Sequence, residues 1–437
     1  MRSFGSVELA RRMKALDRTG GATITGFATD SRGVAPGDLF LAIRGEKVDG
    51  HAYVSQAFAS GAAAALVEQT VEGPHLLVEG IVEALAHFGR SLRDEFGGPV
   101  VGLTGSAGKT TTKELLAAAL SPLGPVVKTP GNRNTEYTSP LLWADLDRGT
   151  KAVVVELAMR GFGQIAHLAS IAQPTVGLIT NVGHSHLLQV GDRGGIARAK
   201  GELLVALPSD APCVLPADDD YLDTLREIAD GRRVLTFGFA ESADCRVTEY
   251  RAISLSHSSV RLRVFGETCA FSIPAAGRHL ATNAAAAVLA ARVVGVPLDE
   301  VETAMTKAEL PPMRMETVER SGATILLDAY NAAPNSVLAA LETLIETPVA
   351  GRRLAVLGEM RELGETTEEA HRTVGLAAAS LDDVIFVGET ASLMRDAAGK
   401  GEVGSLGDVR VFLDGLKPGD VVLVKGSRSL GLERALG

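Results

Sequence analysis

The chain has 437 residues, of which 46% are hydrophobic and 22% charged, and its net charge is -10. It is too long for one ordinary core and too apolar for extensive disorder, so two or three soluble globular domains are expected. The acidic balance argues against a general nucleic-acid binder, which carries a basic face, but leaves room for an anionic substrate met by local basic loops.

Cys213, Cys245 and Cys269 are odd in number and share no metal-ligand spacing, so buried free thiols in a reducing compartment are expected. The opening MRSFGSVELARRMK has no sustained apolar run, and no stretch reaches ~18 uncharged apolar residues. Neither a signal peptide nor a membrane span is expected, which points to the cytoplasm.

Residues 1–96 alternate short strand-like runs (ATITGFATD, GDLFLAI, AAAALVE) with helical ones (YVSQAFASGA, GIVEALAHFGRSLRDEF), and GGP then marks a linker. Residues 97–311 begin as repeated strand-then-helix pairs: VVGLTG and KTTTKELLAAAL, KAVVVELA and FGQIAHLASIA, PTVGLITNVG and GGIARAKGELLVAL. Continuous apolar strands imply a sheet buried on both faces, hence mainly parallel. Residues 243–275 alternate and predict antiparallel strands, followed by a helix over GRHLATNAAAAVLAARVVG that ends at Gly295. Residues 312–437 return to strand-helix pairs on TILLDAY, RRLAVLGEM, DVIFVGE and DVVLVKG, a second doubly wound unit. The expectation is therefore α/β throughout, in three domains: a small N-terminal α/β domain, a central phosphate-loop domain with a mainly parallel sheet, and a C-terminal Rossmann-like domain.

The chemistry starts at 101-VGLTGSAGKTTTKELLAAAL-120. A glycine turn between strand and helix lets backbone N–H groups and the helix dipole face a phosphate. Gly105, Ser106, Ala107, Gly108, Lys109, Thr110 and Thr111 would form that cradle, with Lys109 on the terminal phosphates and Thr110 offering a hydroxyl to Mg²⁺. The loop is shorter than G-x-x-x-x-G-K-[ST], whose first glycine would fall at Leu103. Glu156 closes an apolar strand at what would be the carboxyl edge of a parallel sheet, where ligands bind.

The loop resembles that of the Mur ligase superfamily, whose members join an amine to a carboxylate using ATP. The resemblance continues through TDSRGVAPGDLFLAIRGEKVDGH (29–51), TPGNRNTEY (129–137), ELAMRGFGQI (156–165), LITNVGHSHL (178–187), ARAKGELL (197–204), GRHLATNAAAA (277–287), LDAYNAAPNS (327–336), LGEMRELG (357–364) and VKGSRSLGLE (425–433), nearly the whole chain. The LDAYNAAPNS segment is similar to D-x-Y-N-A-N-P-x-S, typical of the branch that adds D-alanyl-D-alanine to UDP-N-acetylmuramoyl-tripeptide. The Asp-Asn-Pro-Arg motif of the diaminopimelate-adding branch is absent.

The resemblance implies ATP and Mg²⁺ as cofactors, with those two small molecules as substrates of a monomer. Residues 1–96 would bind the UDP-sugar through Ser31 and Arg32, 97–311 ATP, and 312–437 the dipeptide. It implies catalytic roles for Lys109, Glu156, His186 and Lys200, with Thr110, Glu156, His186 and a carbamylated Lys200 as metal ligands. Asn283 would face adenine, and Arg314 and Asp328 would reach the nucleotide. Tyr330 and Asn331 would lie at the same seam, and Lys425, Ser427 and Arg428 would take the dipeptide carboxylate or satisfy loop carbonyls. By pattern alone, Lys200 reads as a surface lysine and His184 as a loop residue. Departures from the family pattern are Thr138, Ala158, Gln164 and Ala333. Rival readings are another Mur-type or folylpolyglutamate synthase-like ligase, and a nucleotide-gated interaction protein.

Overall fold

A computed structural model describes residues 1–45, 48–184 and 187–436. The chain divides into two compact units, one of Met1–Gly102, Gly124–Met159 and Gln164–Thr175, the other of Leu103–Leu123, Arg160–Gly163 and Val176–Gly437. The division falls within the strand Val100–Thr104.

In the first unit a five-stranded sheet runs in the order Leu16–Arg18, His75–Leu77, Ala64–Val67, Asp38–Leu41, Gly26–Ala28. Its pairings are parallel except at the Leu16–Arg18 edge. The central strands Asp38–Leu41 and Ala64–Val67 are buried at every position, as continuous apolar runs require. Helix Ile81–Arg93 carries Phe88, which meets the rings of Phe4 and Phe27 edge-on at 5.5 Å. Its last residue, Arg93, is buried and satisfied by the carbonyls of Phe96, Ala172 and Gln173. The strands Val126–Lys128 and Ala152–Glu156 pair in parallel, and helix Gln164–Ala172 follows.

In the second unit Val176–Ile179, Cys213–Pro216 and Val234–Gly238 pair in parallel. An antiparallel meander, Cys245–Ser254, His257–Val264 and Glu267–Ile273, follows as the alternating pattern predicts. All three cysteines are free and buried. Helix Arg278–Val294 stops at Gly295, whose φ of 109° suits a left-handed cap.

The C-terminal sheet of the same unit runs Glu316–Arg320, Ala323–Leu327, Val421–Lys425, Arg353–Gly358, Asp383–Val387, Glu402–Gly404. Only the first pair is antiparallel. The last parallel strand, Val421–Lys425, inserts between two earlier ones, and the carboxyl ends at such an insertion form a ligand crevice in open α/β sheets. Among the described residues no helix is long and apolar enough to cross a membrane.

Candidate functional site

Strand Val100–Thr104 delivers the glycine loop to the start of helix Lys109–Leu120. Gly105 has φ +156°, and a Cβ there would stand 1.8 Å from Thr180 Oγ1, so only glycine fits. Gly108 has φ +78°, and its Cβ would lie 2.6 Å from Asn283 Oδ1. Asn283 is buried on helix Arg278–Val294, so the residue expected to face adenine packs beside the loop's second glycine.

A second segment, 180–183, braces the loop. Asn181 Oδ1 accepts from Ala107 N–H at 3.0 Å, and its Nδ2 donates to Ala107 C=O at 3.0 Å. Thr180 Oγ1 donates to the same carbonyl at 2.6 Å, Ser106 N–H donates to Asn181 C=O, and Gly183 N–H donates to Ser106 Oγ. Asp219 holds the far side by accepting from Val182 N–H at 2.7 Å. Lys109 Nζ donates to Gly105 C=O at 2.8 Å, curling its ammonium over the loop. Sequence reasoning gave Thr180, Asn181 and Asp219 no role. The signal was present, since polar residues immediately follow an apolar strand at its carboxyl end.

Thr110 and Thr111 are buried in the first turn of the helix. Arg314 Nη2 donates to Thr110 Oγ1 at 3.0 Å, while its guanidinium lies 4.2 Å from the centre of the Tyr330 ring. Arg314 thus touches both Tyr330 and the start of the loop's helix. His184 Nδ1 lies 3.1 Å from Asn335 Oδ1. His186 lies outside the described residues.

Lys200 departs from the pattern reading of a surface lysine. It is 1% exposed within helix Arg193–Val205. Burial, and then the nearby Lys109 charge, push its ammonium well below the ordinary lysine range. A neutral amine is the form that adds CO₂ to become a carbamate. The neighbouring Glu202 accepts from Gly163 N–H at 2.7 Å.

In the first unit Glu156 is 1% exposed, so it is no solvated strand-end acid. Its Oε1 accepts from Asn134 Nδ2 at 2.8 Å, and its N–H donates to Thr129 Oγ1. Arg32 is exposed and paired with Asp30 at 2.6 Å, and that hydrogen-bonded pairing holds the Asp30 carboxyl down at about 2. Ser31 is buried and donates to Gln56 Oε1 at 3.2 Å. His51 is buried between Asp49 and the Glu68 N–H, which fastens this region internally.

At the C-terminal crevice Lys425 is 2% exposed, with Nζ 2.6 Å from Asp328 Oδ2 and 3.1 Å from Asn331 C=O. Its charge is paired inside the fold, and the Asn331 carbonyl it also meets is the loop-carbonyl alternative the sequence left open. Asp328 is correspondingly engaged with Lys425. Ser427 Oγ donates to Glu359 C=O at 2.7 Å, again a loop carbonyl. Arg428 alone of the three presents its guanidinium outward, 54% exposed beside Glu433 at 2.9 Å. Ala333 stands at the N-cap of helix Pro334–Glu346, where asparagine would cap. Alanine offers no such side-chain acceptor, while Ser336 Oγ accepts the Ala333 N–H at 3.1 Å, the reciprocal half of a capping box.

Among the described residues no three His, Cys, Asp or Glu side chains converge as a metal cage. The Thr110 hydroxyl beside the loop and, in the first unit, the Glu156 carboxylate are each of the hard oxygen kind that Mg²⁺ takes.

A gripped glycine loop at a sheet's carboxyl edge, followed by Lys109 and Thr110 on a helix start, defines a phosphate-loop α/β protein. Residues 23–88 match the family description "Mur ligase family, catalytic domain", residues 103–291 "Mur ligase middle domain", and residues 313–428 "Mur ligase, glutamate ligase domain". The chain belongs to the Mur ligase family. It is 38% identical, over 94% of its length and 90% of the relative's, to the UDP-N-acetylmuramoyl-tripeptide--D-alanyl-D-alanine ligase of Synechocystis sp.. Its fold is similar to crystalline MurF of Acinetobacter baumannii, with TM-score 0.90 and 30% identity over 100% of this chain and 98% of that one. It is also similar to MurF of Thermotoga maritima in complex with ADP, with TM-score 0.83 and 33% identity over 94% and 96%.

Proposed function

We propose that this chain joins the amine of D-alanyl-D-alanine to the free carboxylate of UDP-N-acetylmuramoyl-tripeptide, converting ATP to ADP and phosphate. The observation that carries the reading is the braced glycine loop with Lys109 curled over it and the buried Lys200 close by. The relatives' names, over nine-tenths or more of both chains, supply the substrates.

The loop N–H groups and the Lys109 ammonium bind and neutralise the β- and γ-phosphates. A carboxylate oxygen of the tripeptide attacks the γ-phosphorus, and the bond to the β-bridging oxygen breaks to release ADP. The dipeptide amine then attacks the acyl phosphate carbonyl, and the tetrahedral intermediate expels phosphate to leave the amide. Bound Mg²⁺ supplies charge neutralisation at the phosphoryl oxygens. Thr110, Glu156, His186 and carbamylated Lys200 are the residues we assign to hold metal ions. Arg314 orients the nucleotide over Thr110, and Asn283, packed beside the loop's second glycine, faces the base.

In this scheme residues 1–96 bind the UDP-sugar with Ser31 and Arg32, 97–311 the nucleotide, and 312–437 the dipeptide with Arg428 as the outward cation. Lys425 then acts by fixing Asp328 and the Asn331 loop. The test is a panel of UDP-MurNAc peptides crossed with free amino acids and D-alanyl-D-alanine, scored by product mass. Pentapeptide product with the dipeptide alone supports the reading. Preference for a free amino acid overturns the substrate assignment while leaving the ligase class standing.

A further inference from the structure

A basic concavity in the first unit belongs to none of the residues above. It measures about 280 Å³ and lies where the end of helix Ser6–Met13 meets helix Ile81–Arg93. The first helix brings Arg11, Arg12 and, just past its end, Lys14. The second brings His87, Arg90, Ser91 and Asp94, whose spacing of three, four and seven puts them on one helical face. Four permanent cations therefore face one acid, on a chain whose net charge is -10.

Their pairing separates them. Arg12 is occupied by Glu8 at 2.9 Å and Glu95 at 2.7 Å. Arg11 and Lys14 meet no carboxylate within ion-pair reach among the described residues, and Arg90 contacts only the Ser170 carbonyl and hydroxyl. Cations at a helix C-terminus complement its dipole, which accounts for Arg11, Lys14 and Arg90 one helix at a time, but not for the convergence of the two helix ends on one concavity. Lys14 moreover holds a left-handed backbone, φ 53° and ψ 39°, a costly conformation for a lysine where glycine would fit freely. The His87 ring is pushed below the usual imidazole range, first by burial and then by the Lys14 and Arg90 charges, against a smaller opposing effect of Glu83. The local field is therefore positive.

We propose that this concavity binds a phosphate-bearing anion through Arg11, Lys14 and Arg90, with His87 at its wall. Guanidinium forks match phosphate oxygens, and cations from two helices suit a multiply charged group better than a single carboxylate. A concavity of about 280 Å³ has room for a phosphate or pyrophosphate moiety. Such a group comes free in solution or on a lipid headgroup.

The test follows the His87 ring by NMR in ¹³C-histidine-labelled protein while inorganic pyrophosphate is added, a local readout that binding at the glycine loop does not mimic. We expect a saturable shift, a rise in the His87 pKa at saturation, and affinity weakened by about tenfold or more in Arg11→Glu/Lys14→Glu. Lys14→Gly removes one cation while relieving the backbone, so it keeps the fold and still weakens binding. No shift in the wild type, or equal affinity in these variants, overturns the proposal. Sedimentation with phosphatidylglycerol vesicles but not phosphatidylcholine vesicles, lost in the double variant, assigns the group to a lipid. A pyrophosphate response without sedimentation assigns it to a free anion. Sedimentation unchanged in the double variant overturns the site as its cause.

Discussion

The side-chain amide of Asn181 holds both polar groups of Ala107, accepting its N–H and donating to its carbonyl at 3.0 Å each. The peptide in the middle of the phosphate loop is therefore fixed before any nucleotide arrives. Two such bonds contribute about 1–3 kcal/mol, and that preorganisation acts where charge develops. Asn181→Ala is expected to lower kcat/KM for ATP on the order of 10–100-fold, with a fall in Tm of no more than about 10 °C, so the chain stays folded at assay temperature. Steady-state kinetics beside a thermal melt decide this, and unchanged kinetics would remove the bracing role.

Lys200 should carry CO₂ in the working enzyme, because its amine is buried within helix Arg193–Val205 and that burial pushes its pKa well below the usual lysine range. Protein equilibrated with ¹³C-bicarbonate near pH 8 is expected to show a carbamate resonance, absent in Lys200→Arg, whose ligase activity should fall by orders of magnitude. A wild-type spectrum without that resonance, or a fully active arginine variant, goes against the assignment.

Asp328 and Lys425 form a buried pair, and removing one partner leaves the other charge uncompensated. Asp328→Ala should cost about 3–5 kcal/mol in urea unfolding, and Asp328→Leu/Lys425→Met should recover most of it. If Lys425 served substrate alone, Asp328→Ala would raise KM for the dipeptide and leave stability unchanged.

His279, at the start of helix Arg278–Val294, is pushed down to about 4 from 6.5, chiefly by burial. Its Nδ1 is buried without a hydrogen-bond partner among the described residues. The folded pKa lies below the unfolded one, so the unfolded chain takes the proton first. The fold is therefore favoured fully above pH 6.5 and loses that advantage as pH falls towards 4. Urea midpoints across this window should drop less steeply for His279→Gln than for the wild type. Parallel slopes would show that another group governs the acid limb.

Much of the fold was legible because its strands are buried on both faces. Val100–Thr104, Ala152–Glu156 and Val421–Lys425 are buried at every position and read as unbroken apolar runs. The edge strand Glu316–Arg320 was not, since ETVER pairs on one side only and shows neither apolar continuity nor clean alternation. The glycine loop was legible from strand, glycines, lysine and helix in order. Its brace was not, because Asn181 sits 74 residues from Ala107 and an asparagine after a strand carries no sign of its partner. The Lys425 pairing was hidden for the same reason, with Asp328 97 residues away. Lys200 looked solvated by pattern because glycine and alanine neighbours disguise how deeply its helix face is buried.

The most direct test labels the tripeptide carboxylate of UDP-N-acetylmuramoyl-tripeptide with ¹⁸O and analyses the phosphate released on ligation with D-alanyl-D-alanine. Transfer through an acyl phosphate predicts one labelled oxygen per phosphate, in step with amide formation. Unlabelled phosphate accompanying full product would contradict the reaction at its centre.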